Sequence, residues 1–362
     1  MKRHLAFILL TTLSALPLVA HDFEVKTNSG QALFFNITDS AKNEVALTYD
    51  GSIANTQRRY FAGSLELPAQ VRHNGTVYQI TAIGTKAFSG DTLLTSVELP
   101  LGLKEIGEFA FEGCTSLKRV IFPGNEVKIE TGAFFRCEAL SQVTLGSDWN
   151  NVNLKVFRWS KQLKTITIPA KMKHITGMPF LASLERINVD ENNATFASVD
   201  GVLYNRDTTQ LLSCPRAFSG ELIVPDSTRS IRWQALAKSR RLTAITLPAG
   251  LQSLSFREFA QLDSLQTITM KADQPIPTAV GNGQPVFLLQ VANQSVSLVV
   301  NKKALKNFTT ALVSTPGNYT EIKANLPQGE NEELAELPYN IDEQAALKAS
   351  RVVGIKETKS KK

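Results

Sequence analysis

Apolar residues along the middle of this chain recur at a fixed interval of 23, with a phenylalanine as the marker. Phe88, Phe111, Phe134, Phe157 and Phe180 are evenly spaced, and after an interruption Leu236 and Phe259 resume the same step. Other apolar positions keep register with the marker. Five residues before it stand Ile83, Ile106, Ile129, Val152, Ile175, Ile231 and Leu254; six after it stand Leu94, Leu117, Leu140, Leu163, Leu242 and Leu265. Nine and eleven after it come Val97/Leu99, Val120/Phe122, Val143/Leu145, Ile166/Ile168, Ile245/Leu247 and Ile268/Met270, the alternation of a short strand with one buried face. The fifth unit has lost two residues and offers Leu184 and Ile187/Val189 instead. One such unit cannot bury its own apolar face, but a stack of them shares a continuous core.

The flanks read differently. Residues 21–79 alternate apolar and polar, as in Leu33-Phe34-Phe35-Asn36-Ile37, and Asn74-Gly75 between two such runs is a favoured two-residue hairpin turn. This predicts a β-rich N-terminal cap over the first open repeat. The stack is expected over 80–326: repeats at 80–190, an insertion at 191–227 kept within the same domain, repeats at 228–270, and a closure at 271–326. The closure holds Val296-Ser297-Leu298-Val299-Val300 as a strand and a helical pattern at Lys302–Leu312. From Pro327 to Lys362 the chain is polar and reads as a mobile tail, with a weak helix at 341–350.

A period of this length enclosing Leu-x-x-[Val/Ile]-x-Leu is a leucine-rich repeat signature. The fold class expected is therefore a leucine-rich repeat solenoid of short parallel strands joined by turns or short helical connections. One unit reads Leu103-Lys-Glu-Ile-Gly-Glu-Phe-Ala-Phe-Glu-Gly-Cys-Thr-Ser-Leu-Lys-Arg-Val-Ile-Phe-Pro123, and parts of it recur in Ile80–Phe88 and Ile129–Phe134. In these residues the chain resembles the bacterial BspA-like (treponemal-type) repeats. Met178-Pro179-Phe180 and Gln234-Ala235-Leu236 depart from the usual Ala-Phe. Members of that group by resemblance are surface adhesins, and a β-hairpin insertion like 191–227 is common in such arrays.

Lys2, Arg3 and His4, the apolar run from Leu5 to Leu13, and Leu18-Val19-Ala20 together read as a signal peptide over 1–20. That run is too short to span a bilayer as a helix, and no later segment is long and apolar enough. The expected mature chain is thus exported, to the cell surface, the periplasm or the medium, without membrane insertion. It carries 37 basic against 33 acidic residues, a balance that makes no general case for nucleic acid. Cys114 and Cys137 share a repeat position one unit apart, so stacking brings them near each other. Their parallel side-chain directions oppose disulfide geometry and favour two packed free thiols; Cys214 has no evident partner. Asp-[Ser/Thr] triplets such as Asp91-Thr92-Leu93 and Asp263-Ser264-Leu265 resemble an O-glycosylation sequon, and they also suit ordinary turn chemistry.

Four scattered histidines, no zinc spacing, no Gly-x-Ser-x-Gly elbow, and no phosphate or dinucleotide loop leave no catalytic, cofactor or metal assignment. Two surfaces are candidates for a partner. Where the marker is usually followed by small or polar residues, units three to five place Phe135-Arg136, Arg158-Trp159 and Leu181. Aromatic and arginine residues dominate interface hot spots, and Lys161 and Lys164 lie close by. These residues either dock a partner or cover the insertion or the cap. The second candidate is the outward strand face, with Arg119, Ile121, Gln142, Thr144, Thr165, Thr167, Arg186 and Asn188, which also suits plain β propensity. The sequence thus points to an exported, non-catalytic, protein- or glycan-binding protein acting as an adhesin. An envelope scaffold is the alternative, and a hydrolase a remote one.

Overall fold

The computed structural model describes residues 21–50, 60–254, 259, 261–274, 276, 279–281, 284–286, 297–300, 307 and 354–357. The expected signal peptide, most of the Lys302–Leu312 pattern and the helix at 341–350 lie outside these residues. The described chain winds as a β-solenoid with two parallel ladders per turn. One ladder runs through Gly63–Glu66, Leu94–Glu98, Arg119–Ile121 and Gln142–Thr144. The other runs through Glu44–Thr48, Thr76–Ile83, Glu105–Ile106 and Lys128–Ile129. Parallel strands need no crossover helix here, because each turn of the coil makes the connection.

The turn between the ladders is where the phenylalanines sit. Phe88, Phe111 and Phe134 stack with centroids 5.0 Å apart and planes within 8° and 4° of parallel. Phe157 continues the column, tilted by 31° at 5.4 Å from Phe134. Backbone bonds lace successive turns alongside the rings: Phe88 N donates to Ala110 O and Phe111 N to Ala133 O, both at 2.7 Å.

The cap forms as its alternation predicts. Phe23–Lys26, Ala32–Asp39 and Glu44–Thr48 pair antiparallel in sequence order. Gln70–His73 pairs with Thr76–Ile83 through His73 opposite Thr76. The turn residues Asn74 and Gly75 have φ 48° and 82°, the two left-handed positions of a type I′ hairpin. Buried Asp91 locks the cap to the first repeat by accepting from Phe61 N at 2.7 Å and from Leu93 N and Leu94 N at 2.9 and 3.0 Å.

Phe180 departs from the expected spine. It is only partly buried, while Met178 and Leu181 enter the core at 8% and 3% exposure. Pro179 lies in a 3-10 turn, Met178–Phe180, entered through Gly177 at φ 78°. In 3-10 geometry residues three apart eclipse, so Met178 and Leu181 share the inner side and Phe180 is turned outward. A side chain on Gly177 would strike Lys155 N at 2.4 Å, so the left-handed entry and the close approach both require glycine.

Past this point the ladder is interrupted. Thr165–Ile168 pairs only with Arg186–Val189, and the outward face is therefore not one continuous sheet. The insertion makes a hairpin, Phe196–Val199 with Val202–Asn205, then Gln210–Ser213, before Ser219–Ile223 starts a new parallel ladder with Arg241–Leu247 and Thr267–Met270. The buried residues form two clusters that meet at the hairpin. Leu203 belongs to the first, Val202 and Tyr204 to the second, as the alternating faces of one strand. Asn193, fully buried, ties this junction together. Its Nδ2 donates to Pro169 O and Met172 O at 2.8 and 3.0 Å, and its Oδ1 accepts from Thr195 N and Phe196 N at 2.8 and 2.7 Å. Ser297–Val300 extends the second ladder. Gly354–Glu357, within the stretch expected as a tail, pairs parallel with Ser297–Val300.

Candidate functional site

Two residues after five of the seven markers, Phe180 and Phe259 being the exceptions, the turn passes through a left-handed backbone conformation. Gly90 and Gly113 fill it at φ 75° and 68°, as residues without a Cβ should. The next two units put Arg136 and Trp159 there, at φ 59° and 71°, and Lys238 takes the same place after the insertion at φ 62°. An L side chain in that region costs about 1–2 kcal/mol of backbone energy. Large side chains are therefore presented from this turn against a local preference, and such outliers concentrate at functional surfaces.

Trp159 is 45% exposed and lies at the mouth of a groove of ≈690 Å³. One wall comes from Arg158, Lys161, Lys164 and the outturned Phe180. Arg216, Lys238, Arg240 and Arg241, brought in from beyond the insertion, form the other. The break between the two ladders is what opens the space. Arg158 lies over both aromatic faces, its guanidinium carbon 5.9 Å from the Trp159 ring and 5.8 Å from the Phe180 ring. Lys155 Nζ caps Phe180 at 5.1 Å. Such contacts contribute about 0.5–1 kcal/mol each when exposed.

Among the described residues the lining holds seven cationic side chains and no carboxylate. Lys161 pairs outward with Glu138 at 2.9 Å, Lys164 with Glu185 at 3.1 Å and Arg240 with Asp263 at 3.3 Å. These partners are solvent-exposed, so each pair contributes at most about 1 kcal/mol and is easily exchanged. Arg216 donates from Nη1 to Pro179 O at 2.6 Å, which ties one wall to the other. Arg158 and Arg241 make no ion pair with a described residue.

Of the five turn residues singled out from sequence, Arg158, Trp159 and Leu181 line the groove. Leu181 does so from within the core, and its surface role passes to Phe180. Phe135 and Arg136 stack on each other one unit earlier, with 5.4 Å from guanidinium carbon to ring, outside the groove. On the strand face Arg119 aligns with Gln142, Ile121 with Thr144, Thr165 with Arg186 and Thr167 with Asn188. The interruption after Thr144 splits this face into two parts.

The cysteines are free and buried. Cys114 Sγ donates to Phe88 O and Cys137 Sγ to Phe111 O, each at 3.1 Å, so both thiols point along the stack at backbone rather than at one another. Burial pushes the Cys137 and Cys214 thiols up to about 12. Ser160 holds the equivalent position in the next unit and lines the groove. Its Oγ is buried and has no hydrogen-bond partner among the described residues. Burial also raises the Tyr204 hydroxyl, which lies in the second core away from the groove. Among the described residues no cluster of His, Cys, Asp or Glu could hold a metal ion, and no helix is long and apolar enough to cross a membrane.

A family profile described as "BspA type Leucine rich repeat region" matches six copies over residues 78–199 and 217–278, more than half of the chain. The match reaches further into the insertion from both sides than the spacing of the marker alone. No curated protein matches the chain. Among solved structures it is similar to the pneumococcal vaccine antigen PcpA, at 16% identity over 80% of this chain and 96% of that one, with a TM-score of 0.45. A leucine-rich repeat protein from Bacteroides ovatus gives 20% identity over 77% and 79%, with a TM-score of 0.44. The T. pallidum leucine-rich repeat protein gives 18% over 67% and 81%, with a TM-score of 0.36.

Proposed function

This chain belongs to the BspA-type leucine-rich repeat family, and from that premise we propose that it is an exported, non-catalytic binding protein whose groove beside Trp159 engages a protein or glycan at the cell surface, as an adhesin. The observation that carries the reading is the use of Arg136, Trp159 and Lys238 at left-handed turn positions that Gly90 and Gly113 fill elsewhere. A fold under selection for stability alone would keep glycine there. Two of the three, Trp159 and Lys238, border the groove. Export is supported by the basic start and apolar run of 1–20, and the repeat family is consistent with protein binding.

The test is a ligand array and pull-down with purified protein, repeated with Arg158→Ala plus Trp159→Ala. Host-derived or glycan ligands, captured by the parent and lost by the double variant, support the adhesin reading. Capture of the producing cell's own envelope proteins alone makes it a scaffold. Undiminished capture by the double variant moves the site to the strand face of Gln142 and Thr144.

A further inference from the structure

We propose that the groove is a binding site for an anionic polysaccharide, a chain bearing carboxylate or sulfate groups on successive sugars; this rests on the groove being the binding surface. Charge is the first argument. The whole chain is nearly balanced, yet among the described residues seven cations and no carboxylate line this one concavity. Like charges gathered around one groove repel one another, mildly here because Lys161, Lys164 and Arg240 stand in solvent. Among the described residues Glu138, Glu185 and Asp263 pair with Lys161, Lys164 and Arg240 from outside the groove, and Arg158 and Arg241 have no ion pair. A ligand anion would pair with Arg158 and Arg241.

Shape and composition then select among anions. The volume of ≈690 Å³ is that of a ligand pocket, not of the broad, flat patch a globular partner needs. Cations stand on both walls, which suits a ligand with charge repeated along its length better than a single phosphate. Trp159 offers an indole face at the mouth, and the carbon-bound hydrogens of a pyranose ring form an apolar face that stacks on such a surface. A single nucleic-acid strand needs several successive stacking platforms. Here Trp159 is the one lining aromatic that is more than a third exposed: Phe157 is buried, and Phe180 is partly buried under Lys155 and Arg158.

The experiment is calorimetric or interferometric titration of the full chain with five probes: a heparin-derived sulfated oligosaccharide, an oligogalacturonate, a neutral malto-oligosaccharide, oligo-dT and poly-glutamate. The expected result is binding of one or both anionic saccharides, weakening as salt rises, with no binding of the neutral one. Lys238→Gly plus Arg241→Gln should weaken that binding roughly tenfold or more while leaving the melting temperature unchanged or raised, since Lys238 sits at φ 62°. Trp159→Ala should weaken it as well. Tighter binding of oligo-dT or poly-glutamate overturns the proposal, as does an affinity that the charge variants do not change. Equal affinity for the neutral saccharide, lost on Trp159→Ala, overturns the anionic assignment and leaves the groove as a binding surface. Silence towards all five probes, with a ligand captured on the array through Trp159, does the same. Silence in both assays removes both readings.

Discussion

Cutting Phe134 back to alanine tests the stack directly. Its side chain is fully buried, sandwiched between Phe111 at 5.0 Å and Phe157 at 5.4 Å, with Phe122 edge-on at 5.7 Å. Loss of transfer energy plus the cavity left behind costs about 3–5 kcal/mol for a buried phenylalanine. Each aromatic pair adds about 0.5–1.5 kcal/mol beyond its buried area. Phe88, at the end of the column, is 6% exposed and has Phe111 as its one stacked ring among the described residues. Phe134→Ala should therefore exceed Phe88→Ala by about 1–3 kcal/mol, the worth of two further ring pairs. Urea denaturation followed by far-UV circular dichroism gives both values. Hydrogen exchange should show amides of the neighbouring turns, such as Phe111 N and Phe88 N, losing protection with it, because each repeat is stabilised by its neighbours. A loss under about 1 kcal/mol at Phe134, or a larger loss at Phe88, would refute the spine as the source of stability.

Four further outcomes follow from the geometry. Gly113→Ala should cost about 1 kcal/mol, since a Cβ there meets nothing nearer than Gly90 Cα at 3.8 Å and only the backbone objects, whereas Gly132→Ala should cost clearly more because its Cβ would lie 2.4 Å from the Phe109 ring; equal midpoints for the two variants would contradict this. A thiol reagent at pH 8 should label none of Cys114, Cys137 and Cys214 in the native protein and all three in denaturant. Because folding raises the Cys137 and Cys214 thiols from 9.0 to about 12, the unfolded chain releases those protons first, so their contribution to stability is intact below pH 9 and is lost as pH rises towards 12; a flat melting temperature from pH 8.5 to 11 would speak against it. Asn193→Ala breaks four hydrogen bonds at the junction and leaves buried N–H and C=O groups unpaired, a loss of about 2–4 kcal/mol measurable by chemical denaturation.

The repeat was legible because one side chain per turn must fill the same slot, so its period survives in a single sequence. Cap, hairpin turn and free thiols were legible for similar reasons, each being a local rule. Phe180 was misread because spacing alone assigned it to the spine, while Pro179 set a 3-10 turn that exchanges it for Met178 and Leu181. Half of the candidate site was visible as Arg158 and Trp159. The other wall was not, since Arg216, Arg240 and Arg241 reach the groove only through the path of the insertion. One signal for it did exist. Lys238 occupies the repeat position of Gly90, Gly113, Arg136 and Trp159, so aligning the units by their marker places it in the same column of turn residues as Trp159.

The strand Val202–Asn205 sends Leu203 into one core and Val202 and Tyr204 into the other, and the groove's walls lie on opposite sides of that seam. A protein held at one end and pulled through its ligand would be loaded across this joint. An occupant gripping Arg158 and Arg241 together would act as a clamp, resisting separation of the two halves when tension rises. Ligand occupancy and mechanical strength are then one property: the empty protein should part at the seam at low force, and the filled one should hold until the phenylalanine column itself begins to unwind.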